Sequence, residues 1–273
     1  MAGRGGAQAN LRARKRPRLL NVFELQNVSK RFDRVLALDA VTLAVPPRSI
    51  VGLLGKNGSG KTTLLRHVTG LHLPSSGRCE TFGCPTDKLG PGELSRLGMV
   101  SQRDYFVEWM RIKHLLRYVE SFYQVWDREL EETLVAALDL DPDATVGTLS
   151  PGNAQKLALV LATCHHPQLL LLDEPLSDMD PIARGLVVEM LLSRFHDDDL
   201  TMVISSHMLQ DIERIVERIV CLDQGRIIAD APLQELKARF GGLGLDEIFP
   251  LLLAGSRAGA AARPALDSPV IAK

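Results

Sequence analysis

Residues 50–62 read Ile50-Val51-Gly52-Leu53-Leu54-Gly55-Lys56-Asn57-Gly58-Ser59-Gly60-Lys61-Thr62. A nearly continuous apolar run ends in a glycine-rich loop, and apolar residues at helical spacing follow over 61–69. That order is a buried strand, a loop and a helix. The loop fits the pattern G-x-x-x-x-G-K-[ST], which a chain of this length and average composition matches on the order of one time in a hundred. Its residue types suit an anion. Glycines let the backbone wrap close and turn its N–H groups inward, and a helix opening near Lys61 adds the positive end of its dipole. Lys61 supplies a point charge for β- and γ-phosphates, and the Thr62 hydroxyl is a magnesium ligand. An ordinary glycine-rich turn is the alternative, but the strand before and the helix after favour the phosphate loop.

Working outward, residues 22–28 and 41–45 alternate as strands, with Pro46-Pro47 as punctuation. Residues 78–82 and 99–100 are further short strand candidates. The stretch of about 104–166 reads as mostly helical, with Ile112, Leu115, Leu116 and Val119 at helical spacing and Leu134, Leu138 and Leu140 in a later segment. Strand signals return at 169–172, 202–205, 219–222 and 227–228, separated by a helix over 181–195, a second helix from about Met208 and the turn Asp223-Gln224-Gly225-Arg226. Strands alternating with helices imply a mainly parallel sheet with both faces covered, into which the helical block is inserted. No internal repeat is present.

The 273 residues are 45% hydrophobic and 24% charged, the mix of a soluble globular protein. That excludes a wholly disordered chain, a collagen-like chain and a disulfide scaffold. Net charge is −1, but residues 1–18 carry six basic side chains and no acid, so the remainder sums to −7. Residues 1–20 read as a flexible basic tail, more simply solvated than bound to lipid or RNA. No apolar run reaches the roughly 18 to 20 residues of a membrane span, and no apolar core follows the basic N-terminus as in a signal peptide. A cytoplasmic location is the expectation. Cys79 and Cys84 lack a second ligand pair for zinc, and Cys164-His165-His166 before Pro167 reads as a helix end. Asp197 to Asp199 reads as a solvated turn rather than a metal site. Residues 241–273 are rich in glycine and alanine apart from an apolar patch over 248–253, and are expected to be a tail ordered only in part.

The second chemical signal is Leu169-Leu170-Leu171-Leu172-Asp173-Glu174-Pro175. An apolar strand running into two acids is costly unless the acids sit at its carboxyl end, facing a crevice. There Asp173 is placed to hold Mg²⁺ and Glu174 to polarise an attacking water. Gln102 follows the strand of Met99 and Val100, and His207 follows the strand 202–205, so both belong at the same edge. Gln102 is then within reach of Mg²⁺ and the water, and His207 of the γ-phosphate. Taken alone, a single Gln or His is more often structural. Ser150 is suited to cap a helix beginning at Pro151, since proline fits the first helical turn.

In chain order, Phe32, the 55–62 loop, Gln102, Leu149-Ser150-Pro151-Gly152-Asn153, 169–175, Ser177-Asp178-Met179-Asp180 and His207 resemble the ABC ATPases. They stand for that family's aromatic loop, Walker A, Q-loop, signature, Walker B, D-loop and switch histidine, over about 22–240. The resemblance implies an α/β P-loop NTPase with a mainly parallel core sheet, an N-terminal antiparallel β subdomain and an inserted helical subdomain over about 104–166. ATP and Mg²⁺ are the implied ligands. Nucleotide binding is assigned to Phe32, Gly55, Lys56, Asn57, Gly58, Ser59, Gly60, Lys61, Thr62, Thr63, Ser150 and Gly152. Mg²⁺ falls to Thr62, Gln102 and Asp173, and catalysis to Glu174, His207 and Gln102. The family pairs head to tail, each nucleotide lying between one subunit's Walker A and its partner's signature. Here the signature departs from Leu-Ser-Gly-Gly-Gln: Pro151 removes one backbone donor and Asn153 replaces a glutamine. Phe32 replaces the commoner tyrosine. A phenylalanine ring still stacks on adenine, and a core phenylalanine on a strand is its alternative role.

With no span of its own, a transporter subunit of this kind would dock a separate multi-span permease from the cytoplasmic face. The stretch Glu108-Trp109-Met110, then Trp126-Asp127 and Leu245-Asp246-Glu247-Ile248-Phe249, resembles the export branch, and residues 241–273 are too few for an import-type regulatory domain. The alternative is a soluble ABC ATPase acting on nucleic acid or the ribosome. Such chains usually carry two cassettes, long coiled coils or zinc insertions, and no specific nucleic-acid partner is expected here. A GTPase is excluded because no Asn-Lys-x-Asp motif is present.

Overall fold

The computed structural model describes residues 21–101, 106–197, 199–207 and 209–261. Two sheets form the frame. In the first, β1 (Phe23–Phe32) runs antiparallel to β2 (Val35–Val45) and to β4 (Ser76–Thr81), and β4 pairs with the short β5 (Cys84–Pro85). Alternation sends Phe23 and Leu25 inward, and a bulge between Leu25 and Val28 returns Val28 to the same face. The second sheet has six strands in the order β10-β9-β3-β8-β7-β6. Its parallel members are β3 (Ile50–Leu54), β6 (Leu97–Val100), β7 (Leu169–Asp173), β8 (Thr201–Ser205) and β9 (Arg218–Asp223). The edge strand β10 (Arg226–Pro232) returns antiparallel through Gln224-Gly225, both at positive φ (+47° and +76°) as a tight hairpin requires.

Every residue of β3, β7 and β8 is buried, the pattern of a sheet covered on both faces. The two faces serve separate cores. Leu169, Leu171, Val51 and Leu53 pack against the antiparallel sheet and α1 (Lys61–Val68). Leu170, Leu172, Ile50 and Leu54 face a larger core shared with the helices. That larger core takes in the helical block between β6 and β7, made of α3 (Ile112–Glu120), α4 (Arg128–Ala137) and α5 (Pro151–Thr163). The short α2 (Pro91–Leu94), which no apolar periodicity announces, precedes β6. The block's first described helical residue is Ile112, because 106–111 run irregularly and Arg111 pairs with Thr145 as an isolated bridge. Residues 104 and 105 lie outside the described residues. Glu131 of α4 is buried, accepting from Trp126 Nε1 at 2.6 Å and Arg117 at 3.0 Å. A buried carboxylate needs such partners.

Past β7 come α6 (Pro181–Asp197), α7 (Leu209–Glu213), α8 (Leu233–Arg239) and α9 (Leu245–Ala261). The stretch from 241 carries a 17-residue helix whose Leu245 and Ile248 are fully buried in the larger core. The apolar patch at 248–253 is therefore one face of a packed helix, and the packed unit does not end at 240. The basic tail of residues 1–20, and residues 262–273, fall outside the described residues. All four cysteines are free thiols, and no three His, Cys, Asp or Glu side chains gather as a metal site among the described residues. Cys164 caps the end of α5, which bears out the helix-end reading of Cys164-His165-His166.

Candidate active site

The loop 55–60 leaves β3 at its carboxyl end, and Leu64 N–H bonds to Gly60 O at 2.8 Å to open α1. Gly60 has φ +108°, and a Cβ there would lie 2.6 Å from Ala37 O, so only glycine fits. Lys61 is buried against its own loop, its Nζ donating to Gly55 O at 2.7 Å. The same Nζ stands 3.4 Å from Glu174 Oε1.

Parallel register brings the second motif across. Asp173 ends β7 opposite Ser205 of β8. Its fully buried carboxylate accepts from Thr62 Oγ1 and from Ser205 Oγ, each at 2.6 Å. These charge-assisted bonds offset its desolvation. Two hard oxygen ligands, from Thr62 and Asp173, are thus adjacent, and they fit Mg²⁺.

Glu174 follows at φ +54°, a conformation that costs a non-glycine residue and is held here by its surroundings. Its N–H donates to Ser205 Oγ at 3.0 Å, and its carbonyl accepts from Gln155 Nε2 at 2.7 Å and from Ser177 Oγ at 3.1 Å. The buried side chain is divided. Oε2 accepts from the His207 N–H at 3.1 Å and faces His207 Nδ1 at 2.7 Å, while Oε1 accepts no hydrogen bond. Since an ionised carboxylate only accepts, the proton of that ring contact belongs on Nδ1. Asp173 and Glu174 line a cleft of about 650 Å³. Lys56, Asn57, Gly58, Gly60, Lys61, Thr62 and Thr63 line one wall, and Val35, Leu36, Ala37 and Gln224 the other. Gly55 and Ser59 of the same loop are not part of that lining, and Ser59 is buried.

Three assigned residues stand apart from this cleft. Ser150 caps α5 as expected, accepting from Asn153 N–H at 3.2 Å, but it is solvent-exposed and outside the cleft lining. Gly152 abuts the loop after Glu174: a Cβ there would lie 2.5 Å from Asp178 O. Its glycine character is therefore already required within one chain. Phe32 is 39% exposed, with its ring edge-on to His72 at 5.2 Å and Lys30 Nζ 5.0 Å from its centre. It does not line the cleft, where β2 presents Val35 and Leu36 instead. Gln102 lies outside the described residues. Ser205 and Gln155, which fix the carboxylate pair, carry no chemical signal in the sequence. Only the β7–β8 register and the α5 approach reveal them.

The profile of the family described as ABC transporter matches residues 38–177, just over half of the chain. The chain belongs to this family. It is an ABC ATPase, and its glycine-rich loop faces the carboxylates of Asp173 and Glu174. A phosphonates import ATP-binding protein of Rhizobium johnstonii is 32% identical to this ABC ATPase over 253 residues, covering 83% of this chain and 90% of its own. A Nod factor export ATP-binding protein I of Cupriavidus metallidurans is 32% identical over 233 residues, covering 84% of this chain and 77% of its own. A solved structure described as an ATP binding subunit of an ABC transporter superposes with a TM-score of 0.77 at 26% identity, over 85% of this chain and 99% of the other. A dimeric ATP-binding cassette bound to ADP and Pi shares the fold, with a TM-score of 0.69 at 22% identity, over 77% of this chain and 98% of the other. The expected α/β cassette, with its antiparallel N-terminal sheet and parallel-rich core, is thus borne out. Importers and exporters match at equal identity, so transport direction does not follow from these likenesses.

Proposed function

We propose that this ABC ATPase powers a transporter by binding and hydrolysing ATP as a head-to-tail pair docked on a separate multi-span permease, in the direction of export. The observation that carries the catalytic reading is the divided carboxylate of Glu174. Oε2 is fixed by His207 and Oε1 is a buried acceptor with no hydrogen bond, in the cleft beside Lys61. That is the geometry of a general base waiting for a water proton.

In this reading Lys61 exchanges its loop carbonyl for the β- and γ-phosphates, and loop N–H groups cradle the chain of phosphates. Thr62 and Asp173 would hold Mg²⁺, which would supply positive charge against the charge that develops on the phosphates. Glu174 Oε1 takes the proton of the attacking water, and His207 holds the carboxylate in position. Val35 and Leu36 offer the base an apolar wall beside Phe32. Ser150 and the N-terminus of α5, exposed and away from their own cleft, suit a partner's γ-phosphate.

Among the described residues no helix is long and apolar enough to cross a membrane. In this reading the permease supplies the pathway and this subunit sits at its cytoplasmic face. Trp109 before α3, Tyr118 on it and Phe122 just after it are exposed, the aromatic character of a protein contact. The aromatic segment after Gln102 supports export. Co-expression with a candidate multi-span permease tests the whole. Co-purification and ATP-dependent efflux from cells or inside-out vesicle uptake are expected, and uptake into cells would reverse the direction.

A further inference from the structure

The short helix α7 starts two positions after His207 and is only five residues long, too short to be stable alone. Its side chains are tied to three neighbours. Gln210 Nε2 donates to Asp246 Oδ2 at 3.2 Å. Asp211 accepts from Arg184 of α6 at 3.0 Å. Glu213 Oε2 accepts the Leu245 N–H, the first of α9, at 3.1 Å, and Glu213 Oε1 pairs with Lys237 of α8. Beneath these polar ties Ile212, Leu236, Leu245 and Ile248 are buried in one cluster with Leu209. Two of the three clamps on the helix behind His207 therefore come from residues 233–261.

We infer that Glu213 is a positioning residue for hydrolysis: by joining α7 to α8 and α9 it holds His207 against Glu174. The inference rests on the catalytic reading of His207 and Glu174 above. A helix N-terminus normally has no partner for its first N–H groups. The Leu245 N–H has Glu213, so removing that carboxylate frees both the start of α9 and the Lys237 charge. None of these groups lines the nucleotide cleft. Loss of Glu213 should therefore act on turnover and not on nucleotide affinity.

The test measures kcat at saturating Mg-ATP and ATP affinity by fluorescent-nucleotide displacement, on the full chain. Wild type, Glu213→Ala, Glu213→Gln, His207→Ala and the double variant Glu213→Ala/His207→Ala are compared. Glu213→Ala is expected to lower kcat about tenfold, the order of a displaced rather than a missing group, with affinity unchanged. Glu213→Gln, which retains an acceptor for the Leu245 N–H, should recover most of that loss. In the His207→Ala background Glu213→Ala should cost nothing further, because its effect passes through His207. An equal loss in both backgrounds, or an unchanged kcat, overturns the inference. If His207→Ala itself turns over like wild type, the reading of His207 fails and takes this inference with it. Should Glu213→Ala not fold, Asp246→Ala at the exposed start of α9 carries the same comparison, with a smaller loss of the same kind.

Discussion

His207 and Glu174 are 33 positions apart in the chain, yet one carboxylate oxygen of Glu174 meets both the backbone N–H of His207, at 3.1 Å, and its ring Nδ1, at 2.7 Å. The contact leaves the other oxygen as an unbonded acceptor. Replacing the carboxylate by an amide preserves shape and removes the base. Glu174→Gln is therefore expected to keep ATP binding while slowing turnover about 10²- to 10⁴-fold. Normal turnover in single-cycle ATPase measurements would remove Glu174 from this role.

Lys61 has its ammonium 2.7 Å from a loop carbonyl and 3.4 Å from Glu174, with no other acidic partner among the described residues. Lys61→Ala is expected to weaken ATP binding about 10- to 100-fold, the worth of a charged hydrogen bond or two. Equilibrium binding of a fluorescent ATP analogue checks this, and affinity equal to wild type contradicts the phosphate-loop assignment.

The helical block hangs on Glu131, buried and shared by Trp126 and Arg117. Truncation leaves both donors without it. Glu131→Ala should lower stability by about 2 kcal/mol, read as a shift of the urea midpoint at constant slope. A loss under about 1 kcal/mol would place the pair with ordinary surface contacts.

His165 is buried, stacked on Tyr123 at 4.1 Å with Nε2 3.2 Å from Leu97 O, and burial holds its pKa down to about 4. Unfolded, it takes up a proton near pH 6.5. The unfolded state thus binds more protons between about 4 and 6.5, and stability falls as pH falls through that window, by about 3 kcal/mol in full. Burial lowers the pKa of His67 as well, with the same sign. His165→Phe, which keeps the ring stack, should flatten the acid limb of a denaturation series from pH 7 to 4.5. An unchanged limb argues against a neutral, buried His165.

Cys79, Cys164 and Cys221 are buried, and burial pushes each thiol up to about 12. Cys84 is only half-buried. A maleimide at pH 7.5 is expected to label Cys84 first and the other three only after denaturant is added, with peptide mapping to identify the sites. Early labelling of Cys221 would mean that the core sheet opens next to the phosphate loop.

Much of the fold was legible because its elements are marked locally. The apolar run 50–54 and the Leu169 to Leu172 run became fully buried parallel strands, since a strand covered on both faces leaves no room for polar alternation. Ser150 and Pro151 announced the start of α5 by cap chemistry alone. In the stretch 241–261 the sequence shows the apolar patch at 248–253 but not the helix that carries it. Glycine and alanine dominate its composition, while the face formed by Leu245, Ile248 and Leu253 shows only when there is a core to receive it.

What the linear order determined is the set of reacting groups: a lysine and a threonine closing a glycine loop, and two acids ending an apolar strand. Their chemistry depends on residue type and on spacing within a few positions. Tertiary structure decided how they are held. Ser205 reaches Asp173 because β8 lies beside β7, and Gln155 reaches Glu174 because α5 passes behind it. Glu213 ties His207's helix to a C-terminal helix 32 positions away. Such contacts follow from strand order and packing across distant segments, which local spacing does not encode.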